Sequence, residues 1–104
     1  MHRHAAVRRD LTRFKRILRR QMPELQARYA VKSLGVFGSY VRAEAKKSSD
    51  LDLLVEFESA PSLFTFIDLE EQLTRLLGVK VDLVMKSALK PAIGRQILAE
   101  VVPV

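Results

Sequence analysis

The chain has 104 residues, 48% of them hydrophobic, with 18 Lys/Arg against 12 Asp/Glu and no cysteine. One compact domain over residues 1–104 is expected, and the missing cysteine excludes both a disulfide framework and a thiolate metal site, which suits a reducing cytoplasm. No apolar run is long enough to span a bilayer, and the basic start leads into an arginine-broken pattern rather than an export signal, so a soluble cytoplasmic protein without a membrane partner is expected.

The net charge of +6 belongs to one segment. Residues 1–20 carry eight Lys/Arg and only Asp10, a balance of +7, while residues 21–104 carry ten against eleven acids, a balance of −1. Direct nucleic-acid binding would have to rest on this segment alone, and no base-stacking aromatic platform accompanies it, so it is not expected. Within it Val7, Leu11, Phe14, Leu18, Met22 and Leu25 recur at steps of three and four. That spacing predicts a basic amphipathic helix over about residues 5–22, ended or restarted by Pro23. Arg8, Arg9, Arg13, Arg16, Arg19 and Arg20 fall on its back, read either as a solvated face or as a surface for an acidic partner or a phosphate-rich ligand. His2 and His4, with no further histidine in the chain, do not make a metal site.

VKSLGVF, residues 31–37, reads as a buried strand punctuated by Gly38-Ser39, after which YVRAEA suits a helical turn. KKSSD is turn-like, and LDLLVEF, residues 51–57, alternates into a second strand. Ser62 is a predicted N-cap for a helix whose stripe is Leu63, Phe66, Ile67, Leu69, Leu73, Leu76 and Leu77, with Gly78 as its terminator. A third strand is predicted over 79–85. Pro91 then opens a last helical turn or two whose Ile93, Ile97 and Leu98 are expected to pack on the sheet. Strands alternating with helices make an α/β or α+β sandwich, a small sheet flanked by helices, whose strand order this pattern does not give.

A strand that ends in Gly38-Ser39 and enters a helical turn leaves backbone N–H groups pointing where an anion can sit, and Arg42 follows one turn later to neutralise a triphosphate. Ser48 and Ser49 shape the turn that presents Asp50. Asp50 and Asp52, one residue apart on a strand, leave the same face roughly 7 Å apart along it, with Leu51 and Leu53 opposite. Asp82 interrupts an otherwise apolar strand, where a buried charge needs a partner such as Lys80 or Arg42. If the second and third strands are neighbours, three carboxylates converge instead. Their repulsion calls for a cation, and oxygen-only ligands favour magnesium.

These residues together resemble the minimal nucleotidyltransferase family of the DNA polymerase β-like superfamily: Gly38-Ser39, ten residues, Asp50-Leu51-Asp52, then Asp82 in a later VDLV strand. The resemblance covers nearly the whole chain. One departure is Ala43, where relatives often carry glycine after the arginine. It implies a mixed sheet flanked by helices, with Asp50, Asp52 and Asp82 holding two Mg2+ ions and Asp82 a possible base. Gly38, Ser39, Arg42 and Ser49 would bind the nucleotide phosphates. It further implies a HEPN-domain RNase toxin as partner, silenced by transfer of AMP from ATP to a tyrosine hydroxyl, with pyrophosphate released. The rival readings are a non-catalytic antitoxin that covers its toxin, and a nucleotidyltransferase acting on an RNA end or a small-molecule hydroxyl. Of the two tyrosines, Tyr29 is read as packing and Tyr40 as lining the phosphate turn.

Overall fold

A computed structural model describes residues 2–104, with side chains from residue 5 onward; the side chains of His2 and His4 lie outside that set. In chain order the elements are α1 (His2–Tyr29), β1 (Val31–Phe37), a 3₁₀ turn (Gly38–Tyr40), β2 (Leu51–Phe57), α2 (Leu63–Leu77), β3 (Val81–Met85), a second 3₁₀ turn (Lys86–Ala88), α3 (Pro91–Glu100) and β4 (Val102–Pro103). The sheet order is β3-β2-β1-β4. β1 runs antiparallel to β2 and to β4, whereas β2 and β3 are parallel and are joined through α2. This is the mixed-sheet α+β fold that the sequence predicts.

Alternation along LDLLVEF sorts the sheet into two faces. Leu51, Leu53 and Val55 are fully buried, and the register brings Val36 opposite Leu53, Leu34 opposite Val55 and Leu83 beside Leu53. That face packs in one core with Val7, Phe14, Leu18 and Leu25 of α1 and Leu69, Leu73 and Leu77 of α2. Each such side chain contributes about 2 kcal/mol on leaving water. The other face carries Asp52, Leu54, Asp82 and Gly35, and the end of α3 approaches it closely at one point: a Cβ on Gly35 would meet Val101 Cγ2 at 2.5 Å.

Ser62 caps α2 as predicted, its Oγ accepting from Thr65 N–H at 3.1 Å, and Gly78 closes it in the left-handed conformation with φ 70°. The turn after Gly78 uses Val79 and Lys80, so β3 begins two residues later than the pattern suggests. On the outer side of β3, Val81 N–H donates to Thr74 Oγ1 at 3.1 Å and Leu83 N–H donates to Glu70 Oε2 at 2.9 Å, both acceptors coming from α2.

Three expectations are corrected. The first helix does not end near residue 22; it passes through Pro23 to Tyr29. Proline inside a helix costs about 3 kcal/mol through its missing N–H and its clash with the preceding turn. Packing beyond it offsets that cost: Leu25 and Tyr29 are 1% and 4% exposed, and Tyr29 OH donates to Asp68 Oδ2 on α2 at 3.0 Å. Secondly, the α2 stripe is fully buried only at Leu69, Leu73 and Leu77; Phe66 is partly buried against the core, whereas Leu63 and Ile67 join Phe64 in being exposed. Finally, Ile93 and Leu98 of α3 do not pack as core. They are 56% and 47% exposed, because α3 crosses between the two outer strands and buries only Gly94 fully. β4, unpredicted, lies beside β1 and pairs with it through two residues. No described helix is long and apolar enough to cross a membrane.

Candidate active site

The parallel register of β2 and β3 sets Asp52 directly beside Asp82, and Asp50 stands two residues ahead of Asp52 at the mouth of the strand. The three predicted carboxylates therefore lie near one another at one end of the face away from α1 and α2. The sequence argument that Asp82 is a buried charge is corrected, however. Val81 and Leu83 are buried on the core face, and Asp82 between them points the other way and is exposed. It needs neither Lys80 nor Arg42 as a buried partner. Lys80 Nζ lies 4.0 Å from Asp50 Oδ2 instead.

Asp52 feels the convergence most. Its carboxyl is pushed up from 3.8 to about 6, first by burial and then by the charges of Asp82 and Asp50, against which Arg42 pulls the other way. A group in that state gains from any cation placed beside it. The donor set fits a hard divalent ion such as magnesium, since every donor is a carboxylate oxygen. Among the described residues no three His, Cys, Asp or Glu side chains are gathered into a metal-binding group as they stand. Ligation would draw these carboxylates together from their present rotamers.

Gly38 abuts the same carboxylate. It is buried with φ 81°, and a Cβ built on it would overlap Asp52 Oδ2. No other residue type satisfies both conditions. Its carbonyl accepts from Val41 N–H and Arg42 N–H at 3.0 and 3.1 Å, which folds the turn and returns Arg42 to the site. Ser39 is half-buried beside it, with its carbonyl accepting from Glu44 N–H at 2.8 Å. Ala43 adopts φ 59°, the left-handed conformation that explains why glycine suits this position.

Arg42 is not idle. Its Nε donates to Glu44 Oε1 at 2.9 Å and its Nη1 to both oxygens of Glu100 at 3.0 Å, while Glu100 Oε2 also accepts from Gly38 N–H at 2.7 Å. Sequence reasoning missed Glu100 and Glu44 as members of the site. Glu100 sits 62 positions from Gly38 at the end of α3, and nothing local in the sequence marks it.

Of the residues expected on the nucleotide, Gly38, Ser39 and Arg42 surround one turn, whereas Ser49 serves the next. Ser49 Oγ accepts from Lys46 N–H at 2.8 Å and its own N–H donates to Lys46 carbonyl at 3.0 Å, closing the bend before Asp50. Tyr40 does not line the phosphate turn. It is 5% exposed and packs edge-to-face on Phe14 with ring centroids 5.5 Å apart. Tyr29 packs as expected. A hollow of about 510 Å3 lies elsewhere, at the C-terminal ends of β2 and β3 between Val55–Ala60 and Met85–Ser87. It has no carboxylate of the trio in its wall, so the acidic site is not part of that cleft.

The family model described as nucleotidyltransferase domain matches residues 15–104. Over 86 residues the chain is 58% identical to the protein adenylyltransferase MntA of Thermococcus cleftensis, a match that covers 83% of this chain and 87% of that one. A solved structure of a candidate minimal nucleotidyltransferase superposes with a TM-score of 0.73 at 38% identity, covering 94% of this chain and 95% of the other. An MNT antitoxin complex with the tri-AMPylated HEPN toxin of Shewanella oneidensis also matches, with a TM-score of 0.59 over 93% of this chain and 70% of that one. At 18% identity that likeness is one of fold.

Proposed function

The chain belongs to the nucleotidyltransferase domain family, and from that premise we propose that it is a protein adenylyltransferase antitoxin, moving AMP from ATP to a tyrosine hydroxyl of a cognate HEPN RNase toxin. The observation that carries this reading is the placement of Asp50, Asp52 and Asp82 at one end of one sheet face, with the Gly38 turn against Asp52. An acceptor presented by another protein suits this chain, since a domain of this size has little surplus with which to build its own acceptor pocket. A cytoplasmic setting follows from the nucleotide donor.

Each group then has a role. Asp50, Asp52 and Asp82 would hold Mg2+. Two such ions, when bound, would supply charge neutralisation on the attacking and leaving oxygens. Gly38 N–H, Ser39 and Arg42 bind phosphate oxygens, and Ser49 holds the bend that aims Asp50 at them. Asp82, the exposed member, takes the proton of the incoming tyrosine hydroxyl. The tyrosine oxygen bonds to the α-phosphorus, the bond from that phosphorus to the bridging oxygen breaks, and pyrophosphate leaves with the electron pair. Little covalent work falls to the protein, whose contribution is alignment and charge. The transferred group adds a bulky anion where RNA must bind, which occludes and repels the toxin's substrate.

The test is intact mass spectrometry of a co-purified partner before and after Mg-ATP, with native protein and with Asp50→Asn/Asp52→Asn. One or more AMP masses gained only with native protein is the expected result. No gain alongside a stable complex in both samples would sink the transfer and leave an antitoxin that acts by covering its toxin.

A further inference from the structure

The Gly38 amide and the Arg42 guanidinium already face an anion, and it belongs to this chain. Glu100 Oε2 accepts from Gly38 N–H at 2.7 Å, both Glu100 oxygens lie 3.0 Å from Arg42 Nη1, and the side chain is 21% exposed. A backbone N–H and a guanidinium aimed at one point form the donor set that holds a phosphate oxygen. We propose that Glu100 is a built-in occupant of the phosphate subsite at Gly38 and Arg42, so that a nucleoside triphosphate binds by displacing it and loosening the α3–β4 segment. This rests on the nucleotidyltransferase reading and adds self-competition to it.

The exclusion is a matter of donors and charge. An N–H carries one proton, and at 2.7 Å from a carboxylate it is committed to a charge-assisted bond. A phosphate oxygen cannot take that proton while Glu100 keeps it, and two anions at one half-buried point repel. The segment that carries Glu100 is lightly held. α3 fully buries only Gly94, and β4 pairs with β1 through just Gly35 with Pro103 and Val36 with Val102. Val104 adds an N–H bond to Leu34 carbonyl at 2.9 Å, and its own carbonyl accepts from Arg19 Nε at 3.0 Å. Elements with so few buried apolar contacts open at small cost. Arg42 is not left adrift when Glu100 departs, because Glu44 still accepts from its Nε at 2.9 Å.

The experiment titrates Mg-ATP calorimetrically into native protein, Glu100→Gln and Glu100→Ala, and follows hydrogen exchange at the Val104 amide in parallel. Gln keeps the shape and an acceptor oxygen but no charge, so it guards against a variant that merely misfolds. Both variants should bind roughly three- to tenfold more tightly than native protein. Native protein should exchange the Val104 amide faster once Mg-ATP is added, and Glu100→Ala should do so beforehand. Equal or weaker binding by the variants, with native protein still binding, overturns the displacement while the enzyme reading stands; weaker binding would assign Glu100 to orienting Arg42. Absence of Mg-ATP binding in all three proteins overturns both.

Discussion

A side chain at residue 38 would occupy the space of the Asp52 carboxylate. Gly38 and Asp52 are thus one structural unit although 14 positions separate them, the glycine supplying the left-handed turn and the room in which the carboxylate lies. Gly38→Ala is expected to lose about 1–2 kcal/mol from its backbone conformation alone, with the overlap adding to that. Since roughly 4–8 °C of melting temperature accompanies each kcal/mol in a domain of this size, a thermal melt resolves it. Displacing Asp52 by about 1 Å should also cut adenylyl transfer on the order of 100-fold. A variant with native melting temperature and native transfer would refute the coupling.

The raised Asp52 carboxyl sets the sign of a pH effect. Between pH 3.8 and about 6 the folded chain holds a proton that the unfolded chain has released, so stability falls as pH rises through that window and stays lower above it. Asp52→Asn removes the penalty. In the presence of a chelator, the variant should melt higher than native protein at pH 7.5 and equally at pH 4. With the group half exposed, screening leaves on the order of 1 kcal/mol. Added Mg2+ should narrow the gap by stabilising native protein alone. A variant that melts lower at pH 7.5 would contradict this account of the carboxylates.

Ala43 holds φ 59° without glycine's freedom. Replacing it by glycine relieves about 1–2 kcal/mol of left-handed strain but gives the unfolded chain back about 0.4–1 kcal/mol of entropy. The expected balance for Ala43→Gly is a gain of about 0.5 kcal/mol, read as a small upward shift in a chemical denaturation midpoint with the slope unchanged. A lower midpoint would show that Ala43 makes a packing contact worth more than the strain.

Pro23 lies inside α1, one turn after Arg19. Pro23→Ala supplies the missing N–H to the Arg19 carbonyl and should stabilise by about 1–2 kcal/mol, within the roughly 3 kcal/mol that an interior proline costs. Melting curves decide it. A loss of stability would mean that Pro23 itself helps to hold Leu25 and Tyr29 in the core.

Some of this architecture was legible in residue order. The period of two in Leu51–Phe57 separated a core face from an acidic one, and Ser62 and Gly78 bounded α2 because capping is local chemistry. Asp82 reached its place beside Asp52 by an argument about neighbouring strands, although its burial was misjudged: one charged residue between two apolar ones on an edge strand simply alternates outward. Pro23 misled because tertiary packing outweighed a local penalty. Glu100 was invisible, as its contact with Gly38 spans 62 positions and depends on where a short two-residue strand docks. Ile93 and Leu98 have helical spacing, yet spacing does not report whether a sheet face is available to cover them.

β3 ends the sheet, and its outward amides at Val81 and Leu83 are tied to Thr74 and Glu70. An edge strand with free amides is a template for any extended chain that passes, including another copy of itself in a crowded cell. Two α2 side chains occupy that template. This stretch of the border is thereby closed to strand addition and to the fibrillar stacking that begins with it.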